Sequence, residues 1–178
     1  MDFNNLVAQL NAGAILPEGI VVITLLTVLI GDLIFGRTAA RNLSYIAVGG
    51  LFLAIAALIL QWDNPNPTAF IGAFNSDPLS VVFRGIILLS AAVTILMSVS
   101  YVEQTGTALA EFVTILLTAT LGGMFLSGAS ELVTIFVSLD TLSISSYLMT
   151  GYMKRDPRSN EAALKYLLIG ASSSAVFL

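Results

Sequence analysis

The sequence predicts an all-α fold, a polytopic membrane bundle of about six transmembrane helices. Of its 178 residues, 57% are hydrophobic and only 10% are charged, whereas a soluble domain carries about 25% charged residues. Several apolar stretches approach the roughly 20 residues that a helix needs to cross a bilayer, and polar connections separate them. We therefore expect residues 1–178 to form a single membrane domain.

Composition also excludes several kinds of site. The net charge of -4 is small and dispersed, which argues against a nucleic-acid partner. The absence of cysteine and histidine excludes iron–sulfur clusters, His-ligated haem and ordinary zinc sites held by this chain. No glycine-rich nucleotide motif is present. We expect no redox centre, cofactor or metal here, so any redox chemistry belongs to other subunits.

Helix signals delimit the spans. Pro17 suits a first helical turn and Glu18 the positive N-terminus of the first span. Trp62 closes the second span, where aromatic residues meet the membrane interface. Asp77 and Pro78 form an N-cap and first-residue pair for the third span, after an irregular Asn- and Pro-rich loop. The six predicted spans are residues 17–35, 43–60, 78–101, 111–126, 131–152 and 160–178.

The last two connections carry further predictions. The fourth and fifth spans are separated by so few residues that they must form an antiparallel hairpin. In the next connection, Asp156 and Pro157 are expected to stop a helix, and Ser159 to cap the sixth span with Glu161 in its first turn. No terminating signal follows, so we expect the chain to be the N-terminal piece of a longer protein.

Positive charge predicts the orientation of the bundle. Five of the seven Lys and Arg residues lie in loops, and all five fall in the first and fifth connections, which share one side if there are six spans. By the positive-inside rule these loops face the cytoplasm, and the N-terminus lies on the opposite side. The five are Arg37, Arg41, Lys154, Arg155 and Arg158.

The chemistry centres on the fifth span, which carries one carboxylate, Asp140, near its middle. At about 1.5 Å per residue, the acid lies roughly 13 Å from either end. A charge at that depth costs about 2.5–3.5 kcal/mol on insertion scales, and such residues usually mark ion or proton paths. The hydroxyl residues Thr134, Ser138, Thr141 and Ser145 form a separate stripe on this helix. They could support a polar interior, or simply allow close helix packing.

Two basic residues within the spans have open interpretations. Lys165, in the sixth span, could exchange a proton with Asp140, because a buried lysine changes its protonation readily. It could equally pair with Glu161, four residues earlier, or extend to the interface. Arg84, about six residues into the third span, is either extended to the interface or part of a buried ion pair.

The segment SGASELVTIFVSLDTLSISSYLMTGYMKRDPRSNEAALKYLLIGASSSAVFL resembles the proton-pumping antiporter-like subunits of complex I. It is most similar to subunit 2, also called subunit N, of the cyanobacterial and chloroplast NAD(P)H-quinone oxidoreductase. The stretches GAILPEGIVV, DPLSVVFRGII, YVEQTGTALAEF and LLTATLGGMFLSGA fit the same subunit. By this resemblance, Asp140 matches the acidic residue of the family's fifth helix, where the family has glutamate. Lys165 matches the lysine of its EA-x-x-KY motif.

The resemblance implies a function for the chain. It would be a non-redox, proton-translocating subunit of a thylakoid complex that passes electrons from ferredoxin or NAD(P)H to plastoquinone. Flavin, iron–sulfur clusters and plastoquinone would lie on other subunits, and the partners would be other membrane subunits and the lipid bilayer. The N-terminus would be lumenal and the basic loops cytoplasmic or stromal. Two alternatives stay open: a subunit of a monovalent cation/proton antiporter, and a non-transporting membrane scaffold.

Overall fold

The computed structural model describes residues 12–62, 68–105 and 108–177. Within these ranges the chain forms six α-helices, with a pair of two-residue antiparallel strands in the loop between the second helix and the third. The strands are β1 (Thr68–Ala69) and β2 (Phe74–Asn75). The helices are α1 (Leu16–Phe35), α2 (Ala40–Leu60), α3 (Pro78–Thr105), α4 (Leu109–Gly128), α5 (Leu132–Thr150) and α6 (Pro157–Phe177).

The predicted all-α membrane bundle is confirmed. Over the described residues, five helices, α1 to α5, are long and apolar enough to cross a membrane. The sixth helix, α6, has 21 residues but does not reach that apolarity, since Arg158, Glu161 and Lys165 lie in its first half. That α6 also crosses the membrane therefore stays a prediction.

An Asp-Pro pair begins two of the helices. Asp77 caps α3 as predicted, because its Oδ1 accepts a hydrogen bond from the Ser80 backbone N–H at 2.9 Å. The expectation for the second pair was wrong. Asp156 does not stop a helix but begins α6, accepting the Arg158 N–H at 2.9 Å, so that α6 starts at Pro157. A proline has no N–H to lose at the first helical position, so both pairs use the same chemistry.

Ser159 has a different role from the predicted cap. It lies inside the first turn of α6, and its hydroxyl donates to the Thr150 carbonyl at 2.7 Å. This bond ties the start of α6 to the end of α5. The Asp156 cap and the Ser159–Thr150 hydrogen bond together fix the turn between α5 and α6.

The connections gather at two ends of the bundle. At the end we call the loop side, the described part of the α2–α3 loop packs on the turn between α4 and α5. The Ser130 N–H donates to the Ala73 carbonyl at 3.0 Å, and Phe74 pairs with Ala129 in an isolated β-bridge. Phe74 is buried and meets Phe125 edge-on at 6.0 Å. This part of the predicted irregular loop is thus a folded cover; residues 63–67 lie outside the described residues.

At the opposite end, which we call the basic side, the α5–α6 turn meets the start of α4. The Tyr152 hydroxyl donates to the Ala108 carbonyl, and its ring meets Phe112 edge-on at 5.3 Å. Lys154 approaches Glu111 at 3.9 Å. The start of α4 and the end of α5 therefore lie at one end, as an antiparallel α4–α5 hairpin requires.

Helix α4 lies at the centre of the described bundle and contacts α1, α2, α3 and α5. The apolar core runs through the first four helices and includes Val21, Leu51, Leu88, Ile95 and Leu117. Helix α5 adds no fully buried apolar side chain to this core; its buried residues are Ser138 and Ser145. It therefore packs on α4 through small polar side chains rather than through large apolar ones.

Gly122 allows the closest approach between α4 and α5. A Cβ atom built at this position would lie 2.8 Å from the Leu142 backbone nitrogen and 3.0 Å from the Ser138 carbonyl oxygen. Both atoms belong to the α5 backbone, so no side-chain rotation could relieve the contact. Glycine is thus required for the two helices to sit at this distance.

We predict that Gly122→Ala destabilises the α4–α5 contact by about 1–3 kcal/mol, the usual cost of overpacking. The matched control is Gly49→Ala on α2, where an added Cβ meets nothing within 4 Å and alanine favours the helix. The measurement is the thermal unfolding midpoint of the purified full-length subunit. Equal midpoints for the two variants would contradict the packing described here.

Candidate functional site: a mid-membrane carboxylate and a buried ion pair

The structure places Asp140 as the ninth of the 19 residues of α5, half-buried. Among the described residues, it has no ion-pair or hydrogen-bond partner. Counting at about 100° per residue, Asp140 shares a helix face with Ile144 and Tyr147. That face looks toward α6, because Tyr147 meets Tyr166 edge-on at 4.7 Å and lies against Gly170. The acid therefore lies on the side of α5 that is directed toward α6.

Lys165 does not meet Asp140. Its ammonium lies 2.5 Å from the Glu161 carboxylate, one helical turn earlier, and its side chain is 67% exposed. The i−4 pair that the sequence left open is thus the one that forms. Glu161 is the partner of the lysine in this arrangement, and a supporting part for Glu161 in proton transfer stays a prediction.

The offset between the two groups follows from the antiparallel packing of α5 and α6. Gly151 lies opposite Ala163, and Tyr147 lies opposite Gly170 and Tyr166. Lys165 is therefore level with about residue 149, nine residues along α5 from Asp140. At about 1.5 Å per residue, the two groups are offset by about 14 Å along the helix axes. A direct proton transfer between them is too long in this arrangement.

A cavity of about 330 Å³ separates parts of α5 and α6 on the same face as Asp140. Ile144, Tyr147 and Leu148 line it from α5, and Ala163 and Leu164 from α6. Its lining is mostly apolar, with Asn160 the polar residue at the basic side. The cavity covers part of the interval between the levels of Asp140 and Lys165.

The hydroxyl stripe of α5 faces α4 rather than this cavity. Ser138 and Ser145 are buried, while Thr134 and Thr141 are half-buried. Thr141 donates to the Val137 carbonyl and Ser145 to the Thr141 carbonyl, both at 2.8 Å. These bonds stay within the helix, which agrees with the packing interpretation. A part for the stripe in proton transfer remains a prediction.

A second charged site lies at the loop side, where Arg84 and Glu18 form a fully buried ion pair. Arg84 Nη1 lies 3.1 Å from Glu18 Oε1, with the side chains 0% and 1% exposed. The sequence left two interpretations of Arg84 open, and the structure decides for the buried pair. The sequence alone predicts for Glu18 only a favourable position at the positive N-terminus of a helix. The pairing could have been predicted from the order of the helices. Because α1 and α3 both start at the loop side, charged residues near their starts lie at the same level of the bundle.

Further donors and acceptors complete the environment of the guanidinium. Its Nη2 donates to Ser76 Oγ at 2.6 Å and to Ser80 Oγ at 3.0 Å. Its Nε reaches the Ser80 carbonyl at 3.4 Å, and Nη1 reaches the Ala14 carbonyl at 3.5 Å. The guanidinium also lies over the Phe74 ring, 5.1 Å from its centroid. Arg84 thereby joins α1, α3 and the loop strand β2.

No described residues form a cluster of three or more histidine, cysteine or acidic side chains that could hold a metal ion. Two carboxylates, Glu18 and Asp140, lie on different helices, Glu18 at the loop side and Asp140 in the middle of the bundle. Each is a charged group in or beside a membrane-spanning helix, where a charge is costly unless it is neutralised, paired or hydrated.

Two family models match the chain. The N-terminal model of NAD(P)H-quinone oxidoreductase subunit 2 matches residues 4–100, more than half of the sequence. The chain belongs to this family. The transmembrane model of the NADH:quinone oxidoreductase/Mrp antiporter family matches residues 129–178. That second region contains Asp140 and Lys165, whereas Glu18 and Arg84 lie within the subunit 2 region.

Individual relatives agree with this membership of the subunit 2 family. The NAD(P)H-quinone oxidoreductase subunit 2 proteins of Nostoc punctiforme and Microcystis aeruginosa are 75% and 72% identical over the whole chain. The chain spans about a third of the length of these curated relatives. A chain of respiratory complex I from Thermus thermophilus, solved with bound aureothin, is 28% identical with a TM-score of 0.74. That match covers 90% of this chain and 34% of the other.

We predict that the Arg84–Glu18 pair is far more costly to break than to replace. Removing one partner leaves a buried charge unpaired, so Arg84→Met and Glu18→Leu should each cost about 3–5 kcal/mol. The double variant removes both charges and should cost less than the sum of the two single variants. The measurement is the unfolding midpoint of the four proteins in one detergent. Additive losses would show that the two side chains do not depend on each other.

Proposed function

We propose that this chain is part of a proton-translocating membrane subunit of an NAD(P)H-quinone oxidoreductase. The main support for this proposal is the position of Asp140. It is a half-buried carboxylate at the middle of a membrane-spanning helix, within the region that matches the antiporter family. A carboxylate at this depth is costly unless it is neutral, paired or hydrated. Because the described residues provide no cationic partner, a changing protonation state accounts best for its position.

In this proposal protons move through the subunit and electrons do not. The chain has no cysteine or histidine to ligate an iron–sulfur cluster, and in this proposal other subunits hold the flavin, the iron–sulfur clusters and the plastoquinone. Electron transfer from ferredoxin or NAD(P)H would alter the charge near the membrane domain and so drive Asp140 to bind and release a proton. The lipid bilayer surrounds α1 to α5, and other membrane subunits of the complex are the protein partners.

Lys165 has a secondary position in this mechanism. The offset of about 14 Å requires water molecules or a change of packing between the lysine and Asp140. The Glu161 carboxylate holds the ammonium in the arrangement described here. We propose that Lys165 exchanges a proton only after it leaves Glu161, which would make this surface pair a step of the relay.

A second candidate function is a subunit of a monovalent cation/proton antiporter. The observation that favours it is the antiporter family model, whose match covers the α5–α6 region. The same carboxylate could bind a sodium ion in place of a proton. Sodium uptake by vesicles that contain the assembled complex separates the two functions. A third reading, a membrane scaffold without transport, rests on the packing role of the α5 hydroxyl stripe.

We predict that Asp140→Asn assembles but loses proton translocation by roughly tenfold or more, since a positioned proton-transfer group typically contributes 10²–10⁴-fold. The amide keeps the size and hydrogen bonding of the side chain but does not titrate. Asp140→Glu, which restores the family's residue, should retain transport. The measurement is proton uptake by vesicles that hold the assembled complex, with assembly checked on a native gel.

The matched control for this variant is Asp32→Asn, which changes another half-buried acid near the end of α1. It should leave proton uptake close to the parent rate. If Asp140→Asn assembles and pumps as fast as the parent, Asp140 is a packing residue and the proposed mechanism is wrong.

We propose a thylakoid location with the basic side facing the cytoplasm or stroma and the loop side facing the lumen. The chain contains no cysteine, so a single introduced cysteine in this region is a clean label site. We predict that cysteines at Lys154 and at Phe70 react with an impermeant maleimide from opposite sides of sealed vesicles. Labelling of both positions from one side would exclude the proposed topology.

A further inference from the structure

Within residues 12–62, 68–105 and 108–177, three buried oxygen atoms near the loop side have no hydrogen-bond partner: Glu18 Oε2, Gln61 Oε1 and Asn75 Oδ1. Buried acceptors of this kind are rare, because leaving one unpaired costs most of its desolvation energy. Three of them at one end of a small bundle point to a ligand that donates hydrogen bonds.

The three residues belong to one cluster. Gln61 Nε2 donates to the Gly13 carbonyl at 2.5 Å, and Arg84 reaches the carbonyl of the next residue, Ala14. The Asn75 carbonyl accepts the Ser80 hydroxyl at 3.3 Å, and Ser80 also accepts from Arg84. Gln61 and Asn75 are thus linked, through neighbouring residues, to the hydrogen bonds of the Arg84 guanidinium, which pairs with Glu18.

A cavity of about 100 Å³ adjoins this cluster, lined by Gln61, Trp62, Ser76, Pro78 and Val81. One water molecule needs roughly 10–15 Å³ of cavity volume, so this cavity has room for several water molecules. Ser76 connects the cavity to the ion pair, since its Oγ accepts the bond from Arg84 Nη2 and the same residue lines the cavity wall. Trp62, which is more than half exposed, places the cavity at the edge of the bundle.

The polar groups around this cavity favour one kind of bound molecule over the others. A metal cation would find oxygen ligands, but Arg84 lies beside them and already neutralises the Glu18 carboxylate. An anion would meet unpaired acceptors, which repel it. An acyl chain would leave those acceptors unsatisfied. Water donates hydrogen bonds to carbonyl and carboxylate oxygens and can accept a hydrogen bond from the Ser76 hydroxyl.

We propose that this cavity is a built water-binding site that completes the Glu18–Arg84 ion pair. One water bridges Ser76 Oγ and Gln61 Oε1, and hydrogen-bonded water continues from it to Glu18 Oε2. The buried pair is therefore hydrated from the loop side rather than sealed in a dry core. Water on this side reaches the first turn of α1, at a point distant from Asp140. This inference does not depend on the proposed function.

The experiment is a density map of the intact complex in lipid nanodiscs, at about 2 Å resolution. We expect a density peak within about 2.7–3.2 Å of both Gln61 Oε1 and Ser76 Oγ. The peak should be lost in Gln61→Met, which keeps the length of the side chain but removes its amide. It should persist in the control Ser90→Ala, since Ser90 lies on the exposed face of α3.

Three results would overturn the proposal. A parent map with an empty cavity shows that the oxygens are unpaired in a dry site. A peak with ligand distances of about 2.3–2.6 Å shows a bound cation of the calcium type instead. Continuous tubular density shows an acyl chain. The parent map decides among these outcomes even if Gln61→Met fails to assemble.

Discussion

The buried ion pair between Glu18 and Arg84 holds together the loop-side end of the molecule. Burying two charges is unfavourable unless they are paired and their remaining polar atoms are satisfied. Arg84 meets this condition through Glu18, two serine hydroxyls and two backbone carbonyls. Because those partners come from α1, α3 and the loop before α3, a movement of α1 or of the loop relative to α3 would break contacts with the guanidinium.

The effect of this pair extends to the centre of the bundle. Arg84 stacks on Phe74, and Phe74 packs against Phe125 near the end of α4. Helix α4 in turn contacts α1, α2, α3 and α5, so the fixed loop side sets the position of the central helix. The close approach at Gly122 then places α5 and the carboxylate it carries. The structural charge pair and the proposed proton-carrying acid thus have separate positions but a continuous packing path between them.

The packing of α5 keeps Asp140 outside the apolar core of the bundle. Its contact with α4 uses small residues and hydroxyls bonded within the helix, which leaves the opposite face free of the apolar core. Asp140 lies on that face, toward α6, with a cavity farther along the same interface. In the proposed mechanism, the offset of Lys165 requires a stepwise relay, since a direct Asp140–Lys165 pair does not form here.

The sequence by itself determined the membrane class, the approximate helix spans and the Asp77 cap, because hydrophobic length and capping depend on neighbours along the chain. It also singled out Asp140, since a charge inside an apolar run is visible without coordinates. The same capping chemistry operates at Asp156, but an Asp-Pro pair is also a helix breaker, so the sequence alone does not show whether it ends one helix or begins the next.

Only the tertiary structure decided which charges pair. Arg84 and Glu18 are 66 residues apart, and their contact depends on how α1 and α3 align at the loop side. Lys165 pairs with Glu161 rather than Asp140 because the register of α5 against α6, set by Gly151 and Gly170, separates the two levels. Register arises from side-chain packing between helices, and no local pattern in the chain encodes it.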